Sequence, residues 1–564
     1  MYTIIKINET NSFNSAILDL KEYKLPEKGA KRKVIHKVYS PIPKTGFDIY
    51  DYEMIFNDEG TKKIIREGET IACFYIESPG MRSLLKRLEC DSFEMLTAAS
   101  SIIRPGVAES GMMQEFIARH KDPKRREYLI PEMEKYLGET YGVMIYQEDV
   151  IKIAHHIGGL SLEEADLLRR AMSGKMRSHK AMKKVVEHFF ESCIEKGYGE
   201  RITKELWRQI ESFAGYAFCK AHSASFALLS FQVAYLKVHY PAEFMSNVLN
   251  NGGGFYMPGV YINEAKRMGL KILLPCVNKS KYNYEGREGK IRIGFLAIKN
   301  LEKNTALRLI EERNTNGKYM SLADFLVRTK TSYEQTKLLI KCGAMDCFNQ
   351  TRPTLMRLLD IYFNHKKLLD DGHYNLFAHE STRLEKEVET DIQYSISEIC
   401  AMEYELFGYM TTKHPMEFFK KYTDSHQIIN ASELKNHVNK RIKMAGWYMA
   451  SKRIKTKKGD IMKFLSLEDL SGTFEAVIFP KAYQKFAELT MSMGPYLIEG
   501  RTDLENGNNI IVEKLQILSD KDALAFTQKD SSENKYYGDV EKVNEDEFIV
   551  VSSLDKEKLR KAYV

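Results

Sequence analysis

The stretch FAGYAFCKAHSASFALLSFQVAYLKVHYPAEF, residues 213–244, sets Lys220 and His222 two residues apart at the mouth of a helical pattern. Cationic side chains at such a place neutralise an anion. A helix start adds unpaired backbone N–H groups and the positive end of its dipole, so a phosphate is favoured there twice over. Decoration of a solvated loop is the plainer alternative. A second basic element sharpens the choice: from Leu167 to Val186 the chain carries Arg169, Arg170, Lys175, Arg177, Lys180, Lys183 and Lys184 and no acidic residue. Arg169 and Arg170 would compensate the C-terminal end of their own helix on the structural reading. Binding the phosphates of a nucleotide or a nucleic acid is the sharper one.

The elements that must hold these residues are helical from about 66 to 250. SLEEADLLRRAM opens with Ser161 and Glu164 at capping-box spacing, and Gly174 lies just past its expected end. After His222, Ser223 is the expected cap, and Phe226, Leu229, Val233, Leu236 and Tyr240 recur by threes and fours, predicting one buried stripe that Pro241 ends. Residues 252–350 pass from NGGGFYMPG through IRIGFLAIKNLEKNTALRLIEER to TKLLIKCGAMDCFNQTRPTLMRLL, and the two later segments read as helix, tight connector, helix. That is the outline of a helix-hairpin-helix element, which holds a DNA backbone without reading its sequence. The IKNLEK hairpin carries no glycine to let amides approach phosphate closely, so Lys299, Lys303, Lys341 and Arg352 are candidates through charge.

A polar linker spans 366–400 and contains DDGHYNLFAHE, in which Tyr374, Leu376 and Phe377 are either a satellite of the core or a peptide ligand for another protein. From 440 to about 518 the period changes to two, with turns at Lys458-Gly459-Asp460, Ser471-Gly472 and Asn506-Gly507. Five short strands with one helix after the third predict an OB-type barrel, a structural element or a binder of single strands. Lys452, Arg453, Lys455, Lys457 and Lys458 would form its basic rim.

Composition bounds the remainder. The 564 residues divide into three or four domains, and 43% hydrophobic residues exclude a disordered chain. A net charge of +7 is modest, so a polyanionic partner rests on local clusters. The eight cysteines form no CxxC pair, which suits reduced thiols and argues against a zinc ribbon, a structural metal or a disulfide framework. The N-terminus has no leader pattern and no run reaches a membrane span, so a soluble cytoplasmic protein without a membrane partner is expected.

CFYIESPGMRSLL, SSIIRPG, ETYGVMIYQEDV, ADLLRRAM and the 213–244 stretch together closely resemble the alpha subunits of bacterial DNA polymerase III, the C-family replicases. The likeness continues in order through EAKRMGLKILLPCVN, the hairpins, GYMTTKHP and the barrel, over roughly 47–520. It implies a mainly α protein, fingers and tandem helix-hairpin-helix, followed by a β OB-fold barrel. The implied divisions are a connector or palm remnant at 1–65, fingers at 66–275, hairpins at 276–365, a linker with a clamp-binding peptide and short helices at 366–435, the OB domain at 436–520 and a tail at 521–564.

By the same resemblance Arg169, Arg170, Lys175, Lys220 and His222 meet the triphosphate of an incoming dNTP. Lys299, Lys303, Lys341, Arg352, Lys452, Arg453 and Lys457 meet primer-template or single-stranded DNA, and Tyr374, Leu376 and Phe377 meet the beta sliding clamp. Cys219 and Ala221 stand where the family usually has Asn and Ser, and His373 where its clamp peptide usually opens with Gln. Nucleotidyl transfer needs two Mg²⁺ ions on acidic side chains. The family holds them in a palm upstream of the matching segment, so the chain alone is expected to be inactive and to bind no metal. Mg²⁺ would enter with a palm-bearing N-terminal polypeptide. Asp48, Asp51 and the acidic run at 545–547 have no fitting context. The short C-terminal end and the FYIESPGMR wording lean towards the error-prone branch, with DNA replication and error-prone repair synthesis both open. The alternative is a non-catalytic protein that binds DNA and the clamp.

Overall fold

Small residues line the contact between the helices that carry Ser101 and Ser223. In helix α1 (Phe93–Ile102) Thr97, Ala98, Ala99, Ser100 and Ser101 are all buried, and Ser92 caps the helix by accepting the Met95 N–H. The computed structural model describes residues 48–103, 111–172, 179–211, 219–252, 254–364, 388, 391–456, 458–503 and 509–519. They pack as two units, Phe47–His239 and Tyr240 onward.

In the first unit α1 is followed by α2 (Gln147–Lys152), α3 (Leu162–Met172), α4 (His179–Glu195) and α5 (Lys220–His239). The expected capping box holds: Ser161 N–H donates to Glu164 at 2.8 Å, and Glu164 N–H to Ser161 Oγ at 3.2 Å. The start and the buried face of α5 depart from expectation. The helix begins at Lys220, so Ser223 is not its cap but lies buried in the first turn, its Oγ 2.7 Å from Ser101 Oγ of α1. The most buried line is Ser223, Ala227, Ser230 and Ala234, with Phe231 beside it. Of the expected stripe Leu236 is buried, while Phe226, Leu229 and Val233 are half-buried on the flank, where Phe226 stacks on Tyr75 at 4.9 Å. Small side chains on both helices let the backbones approach, and the bulky stripe fills the groove alongside. Pro241 acts as expected, ending α5 and opening the helix Pro241–Asn251.

The second unit contains α6 (Pro258–Arg267), a small sheet of β1 (Lys271–Leu273), β2 (Glu285–Arg287) and β3 (Lys290–Arg292), then α7 (Lys303–Asn316), α8 (Tyr333–Lys341), α9 (Arg352–Asn364) and α10 (Ile396–Phe407). Strands β4 (Arg441–Lys455), β5 (Ile461–Glu468), β6 (Thr473–Ile478), β7 (Tyr496–Asp503) and β8 (Asn509–Ile517) form a closed barrel in the order β4-β5-β6-β8-β7. The helix Pro480–Phe486 follows the third of them, and only β6 and β8 pair in parallel among these strands. This is the OB arrangement. Strand β4 closes it by pairing with β7 through Arg441–Gly446 and with β5 through Trp447–Lys455. Alternate residues point inward, and Met444, Leu465, Leu467, Phe474, Ala476, Ile478, Ile498 and Ile510 fill the interior.

The barrel is tied to α6 by a buried polar network. Glu468, with no exposed surface, accepts Asn263 Nδ2 at 2.7 Å and Arg267 Nη1 at 2.8 Å, and His414 Nε2 lies 3.7 Å away. Burial pushes the Glu468 carboxyl up, but His414 and Arg267 outweigh it and hold the group below its ordinary value. No helix among the described residues is long and apolar enough to cross a membrane.

Candidate phosphate and nucleic-acid interface

In the first unit the site is organised by four consecutive residues, Tyr146 to Asp149. Asp149 is buried and its Oδ2 accepts the N–H groups of Ile145 at 3.1 Å and Tyr146 at 3.0 Å, which fixes the start of α2. Burial pushes its carboxyl up to about 6 against the pull of those two N–H groups. Gln147 and Glu148 are thereby set side by side and partly exposed. Gln147 Oε1 accepts from Arg169 Nη1 of α3 at 3.4 Å, and Glu148 Oε2 accepts the Lys220 N–H of α5 at 2.9 Å. Cys219 Sγ donates to the other Glu148 oxygen at 3.2 Å. One dipeptide therefore gathers Arg169 and Lys220, residues 51 positions apart in the chain.

Each cation here already has a carboxylate. Lys220 Nζ lies 2.7 Å from both Glu139 oxygens and 5.4 Å over the Tyr146 ring. Arg169 and Arg170 share Asp166, with Nε–Oδ distances of 2.8 and 2.7 Å, and this fork holds the Asp166 carboxyl below its usual range. His222 is exposed and its ring packs 4.3 Å from Phe226. Lys175 lies outside the described residues.

In the second unit Lys299 and Lys303 are exposed around the start of α7, with Lys303 Nζ 5.6 Å over the Tyr282 ring. Lys341 is half-buried and reaches Glu405 at 3.4 Å. Arg352 is not on the surface where the sequence places it. Only 2% exposed, it forks onto Asp346 at 3.0 and 2.8 Å and donates to the Lys341 carbonyl at 3.1 Å, stapling α8 to α9. Its guanidinium faces inward, so it braces the hairpin and is no phosphate contact. Lys452 and Arg453 are exposed neighbours near the end of β4 and point to opposite faces. Arg453 sits in register with Lys463, a buried lysine that donates to the Thr490 carbonyl at 2.7 Å. Lys457, Tyr374, Leu376 and Phe377 lie outside the described residues.

Residues 32–197 match the bacterial DNA polymerase III alpha subunit finger domain, and residues 269–355 match a helix-hairpin-helix motif. The DNA polymerase III subunit alpha of Staphylococcus aureus strain MRSA252 is 32% identical over 512 residues, 89% of this chain and 47% of that protein. The chain belongs to the family of bacterial DNA polymerase III alpha subunits. The corresponding protein of Borreliella burgdorferi is 34% identical over 480 residues, covering 81% of this chain and 41% of the relative. The chain thus spans about half the length of the curated relatives it matches.

The finger-domain match takes in Glu139, Gln147, Glu148, Asp166, Arg169 and Arg170 and stops before Lys220, which the fold nonetheless brings to Glu148. In this alpha-subunit family member the carboxylates near the cations do not fit a pair of divalent ions. Asp166, Glu139, Glu148 and Asp149 are each committed to an arginine, a lysine or backbone N–H groups. Among the described residues no group of three or more His, Cys, Asp and Glu is placed to hold a metal. What they can do is balance charge. Exposed pairs of this kind are worth about 0–1 kcal/mol each, while charge-assisted hydrogen bonds are worth about 1.5–3 kcal/mol. Pairs this exposed leave the arginines and Lys220 open to an exchange of partner. Sequence reading missed Glu139, Gln147 and Glu148; the acidic pair in YQED was the available signal.

Proposed function

We propose that this chain holds the incoming nucleotide and the primer-template in a DNA-directed DNA polymerase, acting in DNA replication. The reading rests on one observation beside family membership: Gln147 and Glu148 gather Arg169 and Lys220, from two separate helices, at one partly exposed place. Arg169, Arg170 and Lys220, with His222 nearby in sequence, would neutralise the triphosphate and orient it as pyrophosphate leaves. Their carboxylate partners would be released to solvent as phosphate oxygens replace them. The ions that activate the primer hydroxyl would be held by carboxylates beyond the described residues, so the part played here is binding, orientation and charge. Lys299, Lys303, Lys452 and Arg453 would contact the DNA backbone, and Tyr374, Leu376 and Phe377 a sliding clamp.

The test is anisotropy of a labelled primer-template titrated with the protein, with and without the complementary dNTP. Tighter DNA binding with dNTP, lost when Arg169 and Arg170 are both changed to Glu, supports the reading. Salt-sensitive DNA binding indifferent to dNTP in the wild type would replace it with that of a DNA tether.

A further inference from the structure

The helix-hairpin-helix region contains a pair of thiols that the nucleotide chemistry does not use. After β1 the chain runs through Pro275 to Cys276, and the N–H of Val277 donates to the Ala344 carbonyl at 2.8 Å, laying this segment along the turn that carries Cys347. Asn278 Nδ2 donates to Cys347 Sγ at 3.6 Å and to the Tyr319 carbonyl at 2.8 Å, which fixes the second thiol. Cys276 and Cys347 line one cavity of about 270 Å³ together with Lys279 and Arg292. Both thiols are free.

We infer that Cys276 and Cys347 are the site of a reversible disulfide, formed by hydrogen peroxide or a related peroxide entering this cavity. With Cys347 beside it, and with the Asn278 N–H, Arg292 and Lys279, the Cys276 thiol is held below its ordinary value in spite of its burial, and it serves as the nucleophile. The Cys347 thiol is pushed up and keeps its proton. Burial pushes up Cys90, Cys193, Cys342 and Cys400, which makes them poor competitors.

In the first step the Cys276 thiolate attacks one peroxide oxygen. The O–O bond breaks, an S–O bond forms, and the departing hydroxide takes a proton to become water. In the second, Cys347 loses its proton and attacks the Cys276 sulfenic sulfur. The S–S bond forms, the S–O bond breaks, and the second oxygen leaves as water. Two thiols lose two electrons and two hydrogens, and one peroxide becomes two waters. The bridge would join the start and the end of the matched hairpin region, residues 269–355.

The experiment is peptide mapping of the whole polypeptide after mild peroxide, alkylation and digestion without reduction. The expected result is one species joining the Cys276 and Cys347 peptides, two hydrogens lighter than their sum, which dithiothreitol converts to two alkylatable thiols. Recovery of both peptides alkylated and unlinked under conditions that oxidise any other cysteine would overturn the inference. So would linkage of either one to Cys342. A Cys347→Ser protein should stop at a Cys276 sulfenic acid trapped by dimedone, and absence of that adduct would count equally against it.

Discussion

Two sets of carboxylates in this chain hold cations, and they do so under opposite conditions. In the first unit Asp166, Glu139 and Glu148 sit at partly exposed positions and face Arg169, Arg170 and Lys220. In the second, Glu468 is sealed from solvent and meets Arg267 and Asn263. Water screens the first set, so its pairs are weak and replaceable by a ligand. It cannot reach the second, where losing one partner strands a charge. Charge density alone does not separate a binding surface from a brace; burial does.

The largest effect should come from breaking the buried set. Glu468→Gln is expected to destabilise the second unit by up to about 3–5 kcal/mol, since Arg267, largely withdrawn from water, would keep only Glu264 as a counter-charge. Calorimetry on the whole chain reads this as a lowered transition, and adding Arg267→Met should restore much of it. A double variant no more stable than the single one would mean that the network is not what couples the two residues.

Acid and base sharpen the contrast through two buried carboxyls of opposite sign. The Glu468 pKa lies below its ordinary 4.5, so its stabilisation is present above that pH and is lost as pH falls through the lowered value. The Asp149 carboxyl is raised from 3.8 to about 6, so the folded state favours its protonated form and stability falls as pH rises between those values. Asp149→Asn keeps an oxygen acceptor for the Ile145 and Tyr146 N–H groups without the charge. Denaturant titrations at about pH 4 and about pH 8 should show the balance between wild type and variant moving towards the variant by about 2–3 kcal/mol at the higher pH. A constant difference would place that carboxyl in a wetter setting.

At the exposed set the expected changes are in binding and not in stability. Arg169→Glu with Arg170→Glu should weaken dNTP-dependent DNA binding about tenfold or more, each lost charge-assisted contact being worth about 1.5–3 kcal/mol. The unfolding transition should stay within about 0.5 kcal/mol of wild type, as for surface substitutions generally. A large stability loss would move these arginines into the structural class with Arg352.

What was legible in the sequence follows the range of the interactions. The barrel could be read because its strands alternate every two residues and Gly459, at φ +85°, supplies the left-handed turn between β4 and β5. The Ser161 and Glu164 box could be read because both partners lie within one turn. The start of α5 could not, because its terminal N–H group is met by Glu148, 72 residues upstream, while Ser223 looks like a cap and is spent on Ser101. Arg352 and Glu468 are charged residues in unremarkable local settings, and only the packing of distant elements turns them inward. The carboxylates that face Lys220 could not be read, because Glu139 and Glu148 lie 81 and 72 residues away from it in the chain.

Those carboxylates yield the smallest and most discriminating prediction. Glu148 accepts the Lys220 N–H as an N-terminal cap would, and loss of a cap costs about 1 kcal/mol. It also occupies the positive end of the α5 dipole, where a phosphate is proposed to bind. Glu148→Gln keeps an oxygen for the N–H but removes the negative charge, so stability should fall by less than about 1 kcal/mol. With like charge gone, the triphosphate should bind several-fold tighter at low salt, and the gain should shrink as salt is added. If the residue instead holds the nucleotide through a contact of its own, the same substitution will weaken binding at every salt concentration. Opposite signs in one titration series then decide whether Glu148 keeps the place for phosphate or helps to grip it.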